Sequence, residues 1–272
     1  MTNILAIDTS TPACSVAIQY GDEVLTKHKL ASREHTKLLL PMVDDLLVES
    51  GIGLSQIDVI AFTAGPGSFT GIRIGFGVVQ GLAFGADIPV LPVSSLETLS
   101  YTAVRKLGLA DKCKVEGTGA GEAVSTEGAV QIIPMLDARM DEIYWSQFQL
   151  FHEPKQSQES KQSNVAEIRL ERLCEDHLSA PEAIASIIQD SSVKGSSTQN
   201  FSSTMVVGDG WNYGDRISLT ATTTDMTLLP EAQDILTIAV PLIGTESVIS
   251  VDEASPVYLR DKITWKKRER LR

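Results

Sequence analysis

Residues 62–77, FTAGPGSFTGIRIGFG, crowd Gly65, Gly67 and Gly71 beside the hydroxyls of Ser68 and Thr70. Such a loop ahead of a helix could hold a phosphate on backbone N–H groups. It is no P-loop, because no Gly-Lys-Ser/Thr follows, and its glycines do not fall in the G-x-G-x-x-G pattern. The other reading is a strand-to-helix turn in which glycine supplies unusual backbone angles. Ser68 is flanked two residues away by Pro66 and Thr70 rather than glycines, so it is not a hydrolase nucleophile elbow.

Metal chemistry has little to work with. His28, His35, His152 and His177 include no pair at the i, i+4 spacing that puts two imidazoles on one helix face. Cys14, Cys113 and Cys174 are odd in number and far apart, which suits a reducing, intracellular setting. Acidic residues outnumber basic ones 35 to 23, for a net charge of −12. A broad phosphate-binding face needs the opposite balance, so any nucleic-acid contact is local or supplied by a partner. The opening MTNILAIDTS lacks a basic leader and is interrupted by Asp8. The apolar segment 72–86 is short for a membrane span and carries Arg73. The expectation is a soluble cytoplasmic protein.

The elements that must position these residues read as β-β-β-α-β-α-β-α over the first hundred residues. NILAI, CSVAIQY and EVLTKHKL are strands joined by turns, a helix spans 36–50, and IDVIAFTAG is a strand. A glycine-rich helix covers 70–86, followed by the strand IPVLPVS and another helix. That order predicts one mixed sheet flanked by helices. Later come QIIPMLDAR and EIYWSQFQL, a helix near 181–189, MVVGDGW and a last helix over 231–242. Polar, small-residue stretches near 112–130, 152–166 and 190–204 read as insertions. ILAIDTSTPACSVAI and IIPMLDARMDEIYW share one layout around Asp8 and Asp137, which suggests a duplicated domain with a cleft between the copies.

Gly71 and Gly75 are four apart, as are Gly77, Gly81 and Gly85. Each helical glycine costs on the order of 1 kcal/mol against alanine, so a close approach to another helix must offset them. Helix 36–50 carries a wide apolar stripe, and one part of it is expected to remain for a partner. Pattern alone leaves a core and an interface equally open.

ILAIDTSTPACSVAI, GPGSFTGIRIG, PVSSLETL, LDARMDEIYW and SPVYLRDKITWKK together resemble the TsaB (YeaZ) family, from residue 3 to about 268 outside the polar insertions. The resemblance implies an α/β fold of the actin/Hsp70-like (ASKHA) type, with two related ribonuclease-H-like subdomains and a cleft between them. The small, polar stretch near 105–130 sets the boundary between a first subdomain at 1–107 and a second at 108–256, with the tail 257–272 expected near the first. The resemblance also implies a non-catalytic scaffold subunit. With TsaD and TsaE, that subunit would serve transfer of threonylcarbamoyl from threonylcarbamoyl-AMP to N6 of adenosine 37 in tRNAs reading codons that begin with adenine. The alternatives are a free-standing actin-fold ATPase or kinase and a degenerate peptidase-like hydrolase.

The site residues follow from the same resemblance. In VSSLETL, Ser95 and Leu99 stand where the catalytic relative TsaD carries two metal histidines, and leucine cannot ligate a metal. The turns after Asp8 and Asp137 lack the glycine that lets backbone N–H groups reach a phosphate. Asp8, Ser10, Gly208 and Gly210 are the candidates for residual nucleotide contact, with no catalytic residue, no metal site and no tightly held cofactor in this chain. ATP and metal belong to partner subunits. His35, Leu39, Met42, Val43, Leu46, Gly71, Gly75 and Val78 are the candidates for docking TsaD or a second copy through helices 36–50 and 70–86. On that reading Leu46→Arg blocks docking and leaves the monomer folded. The stretch 260–272, with seven bases and two acids, reads as a tRNA or partner contact or as a solvated tail.

Overall fold

The computed structural model describes residues 2–30, 33–109, 130–153, 167–193 and 201–260. The first sheet holds β1 (Ile4–Asp8), β2 (Ala13–Tyr20), β3 (Glu23–Leu30), β4 (Val59–Gly65) and β5 (Val90–Ser94), in the order β3-β2-β1-β4-β5. The first three strands are antiparallel neighbours, and β4 and β5 run parallel to β1. β1 is buried along its whole length, as its unbroken apolar run requires, whereas the charged edge strand β3 is largely exposed. Helices α1 (His35–Ser50), α2 (Phe69–Ala86) and α3 (Ser95–Lys106) alternate with the later strands.

Local chemistry sets the helix ends. Gly51 adopts φ 70° and closes α1, with its N–H on the Val48 carbonyl. The Ser68 hydroxyl accepts from Gly71 N–H at the start of α2. The Ser94 hydroxyl accepts from Leu96 and Glu97 N–H at the start of α3. By length and composition α2 could cross a membrane, so it is longer in its apolar character than the sequence reading allowed. In the fold its Ile72, Val79 and Ala83 are buried.

The second sheet repeats the plan. β6 (Val130–Arg139), β7 (Glu142–Glu153) and β8 (Glu167–Ser179) form antiparallel pairs, and β9 (Ser203–Val207) and β10 (Thr223–Asp225) add in parallel on the far side of β6. The order β8-β7-β6-β9-β10 matches that of the first sheet, and Asp137 of β6 takes the place of Asp8 in β1. This is the two-subdomain α/β architecture of the ASKHA type. Helix α4 (Pro181–Val193) follows β8, and α5 (Ala232–Ala239) follows β10.

The closing helices are exchanged between the lobes. α3 follows β5, yet Leu96, Leu99, Ala103 and Val104 pack with Val130, Ile132 and Phe148 of the second sheet. α5 follows β10, yet Ala232, Ile235, Leu236 and Ile238 pack with Ile4, Ala6, Val59 and Leu91 of the first. Buried Asp234 of α5 takes two hydrogen bonds from Arg105 of α3, at 2.8 and 2.7 Å, and one from Thr102 at 2.7 Å.

The boundaries 1–107 and 108–256 are therefore corrected. The chain returns to the first lobe by residue 232 rather than 257, and Ile249 pairs with Val90 of β5. The insertions also shrink: β6 begins at Val130, β7 reaches Glu153, α4 reaches Val193 and β9 begins at Ser203. The rest of those insertions, and the tail beyond 260, lie outside the described residues.

Candidate functional site

The end of β1 is sealed from within. Asp8 is fully buried; its Oδ1 accepts from the hydroxyls of Ser10 and Thr63, each at 2.6 Å, and from Ser10 N–H at 3.2 Å. Its Oδ2 is buried without a hydrogen-bond partner. Burial raises its pKa above the usual carboxylate value, against the lowering effect of the Ser10 and Thr63 hydrogen bonds and of nearby His35. Thr9, Ser10 and Thr11 are also buried. The glycine loop is the lid on this turn: Ser68 N–H donates to the Ser10 carbonyl at 2.7 Å, and a Cβ on Gly67 would stand 2.3 Å from that carbonyl oxygen. His35 Nε2 lies 3.0 Å from the Thr11 carbonyl and 3.1 Å from that of Ala13, so it braces the turn.

The other two nucleotide candidates also face inward. A Cβ on Gly208 would meet the Met135 carbonyl at 2.2 Å and Leu99 Cδ2 at 2.8 Å; one on Gly210 would meet Met135 at 2.8 Å. Both glycines let the backbone press against β6. At the β6–β7 turn, Arg139, Met140 and Asp141 all have positive φ, and the Asp137 carboxylate takes the Arg139 N–H and its guanidinium. Asp209 accepts from Asp137 N–H at 2.9 Å, and burial first, then the Asp137 charge, raises its pKa. A nucleotide with its divalent ion, which the fold family implies, does not fit these residues. Asp8, Ser10, Gly208 and Gly210 are corrected from ligand candidates to packing positions.

At the two histidine-equivalent positions, Ser95 and Leu99 are fully buried in α3, and Leu99 packs toward Gly208. Among the described residues no group of three or more His, Cys, Asp or Glu gathers in a metal-binding arrangement.

The helices divide the proposed docking residues in an informative way. His35, Leu39, Met42, Val43 and Leu46 of α1 are buried, and the last four belong to the core under the first sheet. In α2, Gly71 and Gly75 are buried against Thr9: a Cβ would stand 2.1 Å from the Thr9 carbonyl oxygen and 2.2 Å from its hydroxyl, respectively. Val78 is half-buried. Seven of the eight docking candidates are thus corrected to internal packing. Leu46→Arg would place a charge in the core rather than on a surface.

Two i, i+4 rows explain the error. Gly71, Gly75, Val79 and Ala83 form the inward row of α2; Phe69, Arg73, Gly77, Gly81 and Gly85 form an outward row, all exposed. A Cβ on Gly77, Gly81 or Gly85 would meet nothing within 4 Å. Beside them Phe84 is 65 % exposed, and Leu40 and Val48 of α1 are 46 % and 82 % exposed. The docking candidates Gly71 and Gly75 fall on the inward row, against Thr9, and the row left open is Gly77, Gly81 and Gly85.

A strap, residues 254–260, crosses between the lobes. Val257 N–H donates to the Ala64 carbonyl of β4 at 2.8 Å. Arg73 Nε donates to the Tyr258 hydroxyl at 2.9 Å. Arg260 donates to the carbonyls of Ala138 and Arg139 at 3.1 and 3.2 Å and to the Glu142 carboxylate.

The family described as "TsaD: tRNA N6-adenosine threonylcarbamoyltransferase" matches residues 23–111. The tRNA threonylcarbamoyladenosine biosynthesis protein TsaB of Haemophilus influenzae is 37 % identical over 97 % of this chain and 96 % of its own. TsaB of Escherichia coli is 34 % identical over 97 % of each. The solved structure of YeaZ from Pseudomonas aeruginosa superposes with a TM-score of 0.71 at 34 % identity, covering 95 % of this chain and all of that one.

Proposed function

The chain belongs to the TsaB family of tRNA threonylcarbamoyladenosine biosynthesis proteins, and from that premise we propose that it is the non-catalytic subunit of a threonylcarbamoyl-transferring assembly. A TsaD-type transferase carries the metal and the chemistry, and TsaE supplies ATP turnover. The product is threonylcarbamoyl on N6 of adenosine 37 in tRNAs that read codons beginning with adenine, and the setting is the cytoplasm. The observation that carries this reading is identity sustained along nearly the whole length of TsaB relatives. The turns at Asp8 and Asp137 support a scaffold over a free-standing ATPase or kinase, because each aspartate takes up a backbone N–H of its own turn, that of Ser10 and that of Arg139, which a phosphate cradle would need free.

The docking surface in this proposal is the outward side of α1 and of α2 from Gly77 to Gly85, leaving Phe69 and Arg73 at the start of α2 outside it; the two helices lie together on one face of the first sheet. The outward glycine row allows the backbone of a partner helix to approach closely, and Leu40, Val48 and Phe84 supply an apolar rim. The occupant is the TsaD-type transferase; a second copy of this chain on the same face is the competing outcome. The test mixes the purified chain with the transferase, TsaE, ATP, threonylcarbamoyl-AMP and unmodified tRNA. Modification is expected only when this chain is present. Equal modification without it, or substrate turnover by this chain alone, would reject the proposal.

A further inference from the structure

Four of the large apolar side chains that the fold leaves exposed lie on the strap and on the two places it joins, the start of α2 and the β6–β7 turn. They are Phe69 at 51 %, Met140 at 58 %, Val257 at 44 % and Tyr258 at 42 %. The Phe69 and Tyr258 rings lie 5.4 Å apart, centroid to centroid. The Arg73 guanidinium sits 3.7 Å from the Phe69 centroid and 5.5 Å from that of Tyr258. Its Nε–H is fixed on the Tyr258 hydroxyl, and among the described residues it meets no carboxylate. Arg260, next along the strap, lies 3.6 Å from the Met140 sulfur.

An exposed patch of this kind has a partner, and its chemistry narrows the choice. A purely apolar partner would bury Arg73 without a counter-charge. An acidic peptide would answer the charge and leave two open rings without use. Unpaired RNA answers both, since a base stacks on an aromatic face and the adjoining phosphate pairs with a guanidinium. The sequence after Arg260 adds six bases against two acids, in a chain whose net charge is −12. We propose that Phe69, Arg73 and Tyr258 form a stacking platform for an unpaired base of RNA, with Arg73 meeting the phosphate beside it. This deepens the tRNA reading above and rests on it.

The test measures binding of labelled tRNA, and of a short labelled single-stranded RNA, to the full chain alone and mixed with the transferase. Phe69→Leu combined with Tyr258→Leu is expected to weaken binding by roughly tenfold or more. Tyr258→Phe keeps the ring but frees the Arg73 guanidinium, and is expected to retain most of the binding that the ring-less double variant loses. Arg73→Gln, at an exposed position, is expected to lower the salt dependence by about one phosphate contact without changing thermal stability. Absence of RNA binding by the parent in both settings would overturn the proposal, as would ring-less variants that bind like the parent. Equal binding of polyglutamate, lost in the same variants, would mark a site for acidic protein and also overturn it. Co-elution with the transferase is followed in parallel. Its failure removes the scaffold reading, whereas its persistence with unchanged RNA binding removes the platform alone.

Discussion

A Cβ on Gly75 would stand 2.2 Å from the hydroxyl oxygen of Thr9, which donates its hydrogen to the Gly71 carbonyl at 2.8 Å. The first turn of the sheet is thereby locked into the first two turns of α2. Gly75→Ala is expected to destabilise the fold by about 1–3 kcal/mol through overpacking. Thr9→Ala in the same chain should recover part of that loss. Gly81→Ala, whose Cβ meets nothing, should instead stabilise the free chain by about 1 kcal/mol, because helical glycine is unfavourable. Urea unfolding of these variants checks the signs, and a neutral Gly75→Ala would refute the Thr9 contact.

The two faces of α1 call for opposite results from like substitutions. Leu46→Arg buries a charge in the core and is expected to abolish soluble, folded protein. Val48→Arg, at a position 82 % exposed, should leave the melting temperature unchanged and reduce co-elution with the transferase. Folded Leu46→Arg protein, shown by a sharp melting transition, would contradict the assigned packing.

Asp8 gives a pH signature. Burial raises its pKa in the folded state, so the unfolded chain gives up this proton first. Folded-state stability attributable to Asp8 is therefore full below about pH 4, where both states are protonated. It falls as pH rises toward the folded-state pKa and stays low above it. Asp8→Asn keeps an acceptor for Ser10 and Thr63 and removes the titration. The difference in stability between the Asp8→Asn variant and the parent should shift in favour of the variant across that window. A flat difference curve from about pH 4 to 8 would show that Asp8 titrates normally.

Arg105 is the counter-charge of a carboxylate that is almost fully buried. Hydrogen bonds to Asp234, the largest cause, hold the guanidinium protonated more firmly than usual. Arg105→Gln leaves Asp234 without that charge and is expected to cost about 3 kcal/mol or more. Adding Asp234→Asn should restore a large share. Denaturant titration of the two single variants and the double variant measures the coupling, and simple additivity would argue against it.

Much of the first lobe was legible in the sequence because its strands and helices obey clean periods. The apolar run Ile4–Ile7 announced a strand, and Gly51 announced the end of α1. The echo between Asp8 and Asp137 revealed the duplication. Burial at the site was less legible. DTSTPA is polar and turn-rich, which normally marks surface, yet the Gly65–Ser68 loop covers it. Nothing local tells Gly75 from Gly77; only the position of Thr9, dozens of residues earlier, separates them. The exchange of α3 and α5 was equally hidden, since periodicity shows that a helix has an apolar side and not which sheet receives it.

That exchange means that neither half of the polypeptide is self-sufficient. A fragment ending near residue 107 would keep α3 but lose the surface that α3 needs, and its own sheet would lack the cover given by α5. The complementary fragment would suffer the mirror-image loss. Produced separately, the two pieces should be insoluble; produced together, they should find each other and restore one particle, much as two hands clasp only when both are present.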